Sequence, residues 1–235
     1  MKAFLLAAGK GTRLLPLTKT TPKCLVPLGG KPILDYWFEI FEKHGIDEIF
    51  MNISHLAEKV EEHVAESVTS VKVNLGFEEV LLGSGGTIKQ NHAFVAGEKE
   101  FFILYADHLT QVDLTKILEF HRDHHKPVTL GLFHASHPEQ CGIVEVDDGG
   151  IITSFVEKPE KPKSDLAFAG VMVCGAELFD YFPDEEVFDL GFHLLPKLAG
   201  NAAGFVLQEY HRDIGTPERL AHAEHDLKTG IVVLE

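Results

Sequence analysis

The sequence predicts an α/β fold: a mixed, mostly parallel sheet with helices on both faces. Three observations lead there. Through the first 133 residues, short apolar runs of strand length alternate with longer segments of helical periodicity, the pattern of repeated βα units. The first apolar run, residues 3–8, stops at Gly9, so its carboxyl end opens into a glycine loop, the place where such sheets take ligands. At 235 residues and 45% hydrophobic, the chain can bury the core of one large domain.

Taken in order, the strand at residues 3–8 leads to a helix at 33–44, where Leu34, Trp37, Phe38 and Phe41 form one apolar stripe and Gly45 supplies the stop. A strand at 48–52, a helix at 55–67 and a strand at 71–75 follow. Residues 85–94 read as a helix and 101–106 as a buried strand. Asp113 is placed to cap a helix running to His124, and 127–133 is the next strand. In the second half, 142–146 and 151–157 flank Asp147-Asp148-Gly149-Gly150, a hairpin signal. Residues 166–173 read as a strand, 176–181 and 192–198 as helices, 204–208 as a strand and 217–228 as the last helix. No linker, repeat or low-complexity segment interrupts the chain. It is expected to be one domain, 1–235, in two halves, 1–133 and 134–235, that differ in their element pattern.

With 21 basic and 36 acidic residues, the formal net charge is −15, which argues against a general nucleic-acid binder. On such a background, the cations Arg13, Lys23 and Lys158 gain weight. The three cysteines, Cys24, Cys141 and Cys174, have neither zinc nor redox spacing and suit a reducing compartment. No leader-like or membrane-spanning apolar run is visible, so a cytoplasmic protein without a membrane partner is expected. His121, His124 and His125 lie near a predicted helix end, where histidine favours the dipole, and are read as structural.

The opening Gly9-Lys10-Gly11-Thr12-Arg13 offers backbone N–H groups and fixed positive charge to an anion. It is neither a P-loop, which needs Lys-Ser or Lys-Thr after its last glycine, nor a dinucleotide fingerprint, since Leu14 stands where the third glycine belongs. Gly9, Gly11, Thr12, Arg13, Pro16, Leu17, Thr18, Pro22 and Lys23 closely resemble the signature of the sugar-1-phosphate nucleotidylyltransferases. The resemblance runs from Lys2 to about Leu227. It implies a Rossmann-like nucleotidyltransferase domain, in the short form without an appended β-helix.

That resemblance assigns expectations residue by residue. Ala7, Ala8, Gly9, Gly11 and Thr12 bind nucleotide, with Gly83 and Gly86 of Leu82-Gly83-Ser84-Gly85-Gly86 at the base. Arg13, Lys23 and Lys158 are catalytic cations. Asp107 and Asp213, the latter in Asp213-Ile214-Gly215-Thr216-Pro217-Glu218, hold Mg²⁺. Gly142, Glu157 and Gly170 contact the sugar. The sequence departs from the family pattern at Tyr105-Ala106 (usually Asn-Gly), at Phe168 (usually Asn) and at Cys24 (usually Pro). The implied reaction joins a nucleoside triphosphate to a sugar 1-phosphate and releases pyrophosphate. Glu78 can accept from the N1–H and N2–H₂ of guanine, which favours GTP with a mannose- or heptose-type sugar. UTP or dTTP with glucose 1-phosphate is the alternative, and a cytidylyltransferase acting on a phosphorylated alcohol is a third. An inactive nucleotide-sugar-binding regulatory homologue is the rival of a different class. Relatives often form homo-oligomers; the sequence carries no distinct interface signal.

Overall fold

The computed structural model describes residues 1–232. Strand β1 (Lys2–Leu6) gives way to a loop containing three single 3-10 turns, at Thr12–Leu14, Leu17–Lys19 and Lys23–Leu25. A small hairpin, β2 (Pro27–Leu28) and β3 (Lys31–Pro32), feeds helix α1 (Ile33–Lys43). Then come β4 (Glu48–Ile53), α2 (Ala57–Glu66), β5 (Lys72–Phe77), α3 (Gly83–Gln90), β6 (Phe101–Tyr105), β7 (His108–Thr110) and α4 (Leu114–His124). The second half holds β8 (Val128–His134), β9 (Gly142–Val146), β10 (Ile152–Glu157), β11 (Leu166–Cys174), β12 (Ala202–Val206), β13 (His211–Asp213) and α5 (Pro217–Thr229).

Strands β5, β4, β1 and β6 lie side by side and parallel, with Ala3 opposite both Ile49 and Phe102. Their side chains alternate between two apolar layers. Ala3, Leu5, Met51 and Leu104 join Trp37, Phe41, Val60 and Ile117 from α1, α2 and α4. Phe4, Phe101 and Ile103 join Ile88 of α3 and the leucines of residues 190–198 on the other face. Burial on both faces is why these strands read as continuous apolar runs rather than as an in/out alternation.

The expected βα alternation breaks at β8. Strand β11 runs antiparallel between β6 and β8, and β12 then pairs parallel with β8. The sheet is therefore mixed, with the parallel part in the first half. Sequence periodicity identified β11 as a strand but carried no information on its partner. The segments expected as helices at 176–181 and 192–198 are a 3-10 helix (Ala176–Tyr181) and a π turn (Leu190–Leu194) running into a 3-10 turn (Leu195–Leu198). Asp189 stops the π turn from starting earlier: its carboxylate accepts from the N–H of Gly191 at 2.8 Å.

A separate two-stranded ribbon, β7 with β13, was not foreseen. Leu109 and Ile214 anchor it, both fully buried with Leu14, Val26 and Ala223 in a third apolar cluster against α5. Helix α5 begins as its sequence suggested, with Thr216 Oγ1 accepting from the Arg219 N–H at 3.3 Å and Pro217 in the first turn.

Candidate active site

The carboxyl ends of β1, β4 and β6 open into a cleft of about 230 Å³ whose walls include Ala7, Ala8, Gly9, Lys23, Glu78 and Asp107. The loop after β1 is fixed from β4. Asn52 Oδ1 accepts from the N–H groups of Ala7 (2.8 Å) and Ala8 (3.3 Å). Gly9 has open space where a Cβ would stand, so its backbone is free to face a ligand. Gly11 is different: its φ is +61°, a Cβ there would sit 2.7 Å from Thr18 Cγ2, and its carbonyl accepts from Thr18 Oγ1 at 2.7 Å. Thr12 and Arg13, which follow that turn, are exposed and do not line the cleft; Arg13 reaches Gly215 instead.

The ribbon brings the two aspartates together. Asp213 sits opposite His108, and the Ile214 N–H donates to the Asp107 carbonyl at 3.0 Å. Around Gly215 the charges converge. A Cβ placed there would lie 2.7 Å from Asp213 Oδ1, 2.9 Å from Arg13 Nη2 and 3.2 Å from Lys23 Nζ. Lys23 Nζ donates to Asp107 Oδ2, and His108 Nδ1 is 3.2 Å from Asp107 Oδ1. Burial opposes ionisation of Asp107, but Lys23 and His108 outweigh it and hold the carboxyl well below its ordinary range. His108 shifts the other way: burial is outweighed by the Asp107 carboxylate, which raises its pKa. Asp213 is held by the Gly215 N–H on Oδ1 and by Arg219 Nη1 on Oδ2.

Asp107 lines the cleft and Asp213 lies beside it around Gly215. That donor set fits Mg²⁺, which takes one or two carboxylates and fills its remaining positions with phosphate oxygens and water. Among the described residues no group of three or more His, Cys, Asp or Glu side chains could hold a metal alone. His121 and His124 are tied instead to one hydroxyl, Thr129 Oγ1, at 2.8 and 2.7 Å.

Glu78 is 8% exposed and engaged on both oxygens. Oε1 accepts from Asn52 Nδ2 (3.0 Å) and Thr87 Oγ1 (2.5 Å), and Oε2 from the Leu82 N–H (3.1 Å). A carboxylate has about four acceptor positions, so one remains on Oε2 rather than a free pair. The glycine segment also has a role the sequence did not reveal. The N–H groups of Gly85 and Gly86 donate to the Phe188 carbonyl at 3.0 and 3.1 Å, and Gly86 packs against the Glu186 carbonyl. Gly83 lines the cleft; Gly86 does not face it.

The residues expected at the sugar gather around the ends of β9 and β10. Gly142 leaves room for Glu157 Oε2, which would lie 2.7 Å from a Cβ there. Burial raises the Glu157 pKa, with Lys158 opposing from 3.6 Å. The Lys158 ammonium is half-exposed, 5.9 Å from the Phe192 ring centroid. Gly170, at φ +67°, lies in the irregular stretch of β11, where a Cβ would sit 3.0 Å from both Tyr105 Cβ and His108 Cε1. Phe168 meets Tyr105 and Phe155 edge-to-face, at 5.9 and 6.3 Å between ring centroids. An aromatic wall thus stands where the family pattern has an amide.

Sequence reasoning missed Asn52, Asp189 and Arg219. Asn52 carried a signal, an amide at the carboxyl end of a buried strand. Asp189 lines the cleft, accepts from Ser84 Oγ at 2.8 Å and borders Glu157 across Gly191, so it joins the two halves of the site. Only an N-cap pattern marked it.

A model of the nucleotidyl transferase family matches residues 2–230. The chain belongs to that family. It is 31% identical over 225 residues to the D-glycero-alpha-D-manno-heptose 1-phosphate guanylyltransferase of Campylobacter jejuni, covering 94% of this chain and 98% of that protein. It is 34% identical over 222 residues to the UTP–glucose-1-phosphate uridylyltransferase of Synechocystis, covering 87% of this chain but spanning only 57% of the relative. The crystal structure of HddC from Yersinia pseudotuberculosis complexed with GMP-PN superposes with a TM-score of 0.81 at 25% identity, covering 96% of this chain and 98% of that one. The fold is therefore shared over nearly the whole of this chain and of HddC. No helix among the described residues is long and apolar enough to cross a membrane.

Proposed function

We propose that the protein condenses a nucleoside triphosphate with a sugar 1-phosphate to give a nucleotide sugar and pyrophosphate. The observation that carries the reading is the convergence of Arg13, Lys23 and Asp213 on Gly215, with Asp107 held on Lys23. An acceptor phosphate oxygen attacks the α-phosphorus in line, so the protein supplies positioning and charge rather than a covalent intermediate. Gly9 and the Thr12–Arg13 turn cradle the triphosphate, Arg13 offsets charge on the departing pyrophosphate, and Lys23 and Lys158 neutralise the reacting phosphates. Asp107 and Asp213 would hold Mg²⁺, which when bound adds charge neutralisation at the α-phosphate.

GTP with a mannose- or heptose-type 1-phosphate is the preferred pair. It is supported by the full-length match to a heptose guanylyltransferase and by the open acceptor position on Glu78. UTP with glucose 1-phosphate is the second reading, favoured by the uridylyltransferase relative. Pyrophosphate release over a grid of triphosphates and sugar 1-phosphates, with Mg²⁺ and with chelator, tests both. Mg²⁺-dependent release with GTP is expected. Release with UTP alone would select the second reading, and silence throughout with nucleotide still bound would reject transfer.

A further inference from the structure

Arg219 is a charged group at this site that the proposed reaction leaves unused. It is carried on the first turn of α5, and its side chain and that of Asp213 are each 22% exposed. Nη1 contacts Asp213 Oδ2, and Nη2 donates to Gln140 Oε1 at 2.9 Å. The guanidinium therefore occupies one oxygen of a carboxylate assigned to a cation, and has a second anchor on the loop before β9.

The local charge count is unusual for a cation site. Asp107 and Asp213 bring two negative charges; Lys23, Arg13 and Arg219 bring three positive ones. Lys23 already occupies Asp107, as Arg219 occupies Asp213. A divalent cation approaching these five groups alone meets net repulsion and must compete for both carboxylates. A polyphosphate reverses the sign, because it brings several negative charges and gives Arg13 and Lys23 other partners. Arg219 can then turn wholly to Gln140, or to the phosphate.

From this arrangement we infer that Arg219 makes cation uptake by Asp107 and Asp213 conditional on a bound polyphosphate. The inference rests on the reading of Asp213 as a metal ligand. By linkage, cation and polyphosphate strengthen each other's binding, and Arg219 enlarges that coupling by weakening the cation's affinity for the polyphosphate-free site.

The test is Mn²⁺ binding to the full chain, followed by the loss of the free-ion electron paramagnetic resonance signal. With no other ligand, Arg219→Gln is expected to bind Mn²⁺ roughly tenfold or more tightly than the wild type, since one opposing charge is gone. Arg219→Lys keeps the charge and should remain close to wild type. Inorganic tripolyphosphate, a probe without a base, itself complexes Mn²⁺, so this arm is read as Mn²⁺ retained with the protein on ultrafiltration above a protein-free control. It should raise retention by the wild type more than by Arg219→Gln. Unchanged or weaker Mn²⁺ binding in Arg219→Gln overturns the inference; weaker binding would mean that the guanidinium orients Asp213 for the cation. Melting temperatures confirm that the variants are folded. The double variant Asp213→Asn/Arg219→Gln separates the two claims. Loss of the gained binding supports Asp213 as ligand, and its persistence would reject the metal reading itself.

Discussion

At the residue scale, each charged group is held by a neighbour that sets what it can do. Asp107 is kept ionised against burial by Lys23 and His108, so it can serve as a metal ligand without first losing a proton. Asp107→Asn keeps the shape and removes the charge. We expect turnover to fall about 100-fold or more. The melting temperature should fall by several degrees, because Lys23 and His108 lose their charged partner. Pyrophosphate release and a thermal melt on the same preparation check both. Glu78 differs in what it holds. Its carboxylate closes a buried network with Asn52, Thr87 and Leu82, and Asn52 in turn fixes Ala7 and Ala8. Glu78→Ala leaves buried donors without acceptors, at a cost of about 1–3 kcal/mol each. The melting temperature should drop by several degrees whichever base is bound. An unchanged melt would free Glu78 for base recognition alone. The glycine loop and its cations were legible in the sequence because they are contiguous. The neighbours that tune them were not, because Asn52, Asp189 and Arg219 act across the fold; Glu78 was named, but not its bonds to Asn52, Thr87 and Leu82.

At the element scale, helix α4 packs on β8 through His121, whose Nδ1 lies 2.8 Å from Thr129 Oγ1. Burial, with help from His124, lowers the His121 pKa from 6.5 to about 4. The unfolded chain therefore binds more protons than the folded one between those values. Stability from this group is full above pH 6.5 and is lost as pH falls towards 4. Burial lowers His44, His124 and His211 in the same direction. His121→Gln should accordingly reduce, without abolishing, the loss of melting temperature between pH 7.5 and pH 5.5. An equal loss in both proteins would reject His121 as a contributor. Helices α1, α4 and α5 were readable because a stripe, a capping aspartate and a Thr-Pro start are local signals. The β7–β13 ribbon was not, since three-residue strands have no period and their pairing is long-range.

At the scale of the whole molecule, one sheet runs through both halves, and each apolar layer draws on both. Ala3 shares a cluster with Val171 and Leu207, and Phe4 shares one with Met172 and Ala202. Residue 133 therefore does not divide the molecule into two apolar cores. Trp37, the only tryptophan, belongs to the first half of the chain and is buried in a layer to which both halves contribute. Its fluorescence and the far-ultraviolet circular dichroism of the entire chain should give coincident midpoints in a urea titration. Separated midpoints would mean that the halves unfold independently. Length and alternation made the fold class legible. The insertion of β11 between β6 and β8 was hidden, because strand patterns do not name partners.

The ribbon that joins the two aspartates also sets an order in time. Most of the cleft wall is synthesised early, but the partner of Asp107 emerges only after β8 to β12 have been made. The chain as far as β12 therefore carries the residues that line the cleft but only one of the two aspartates. In the proposed reaction, the pairing of one three-residue strand, β13, decides whether a second carboxylate stands beside Asp107.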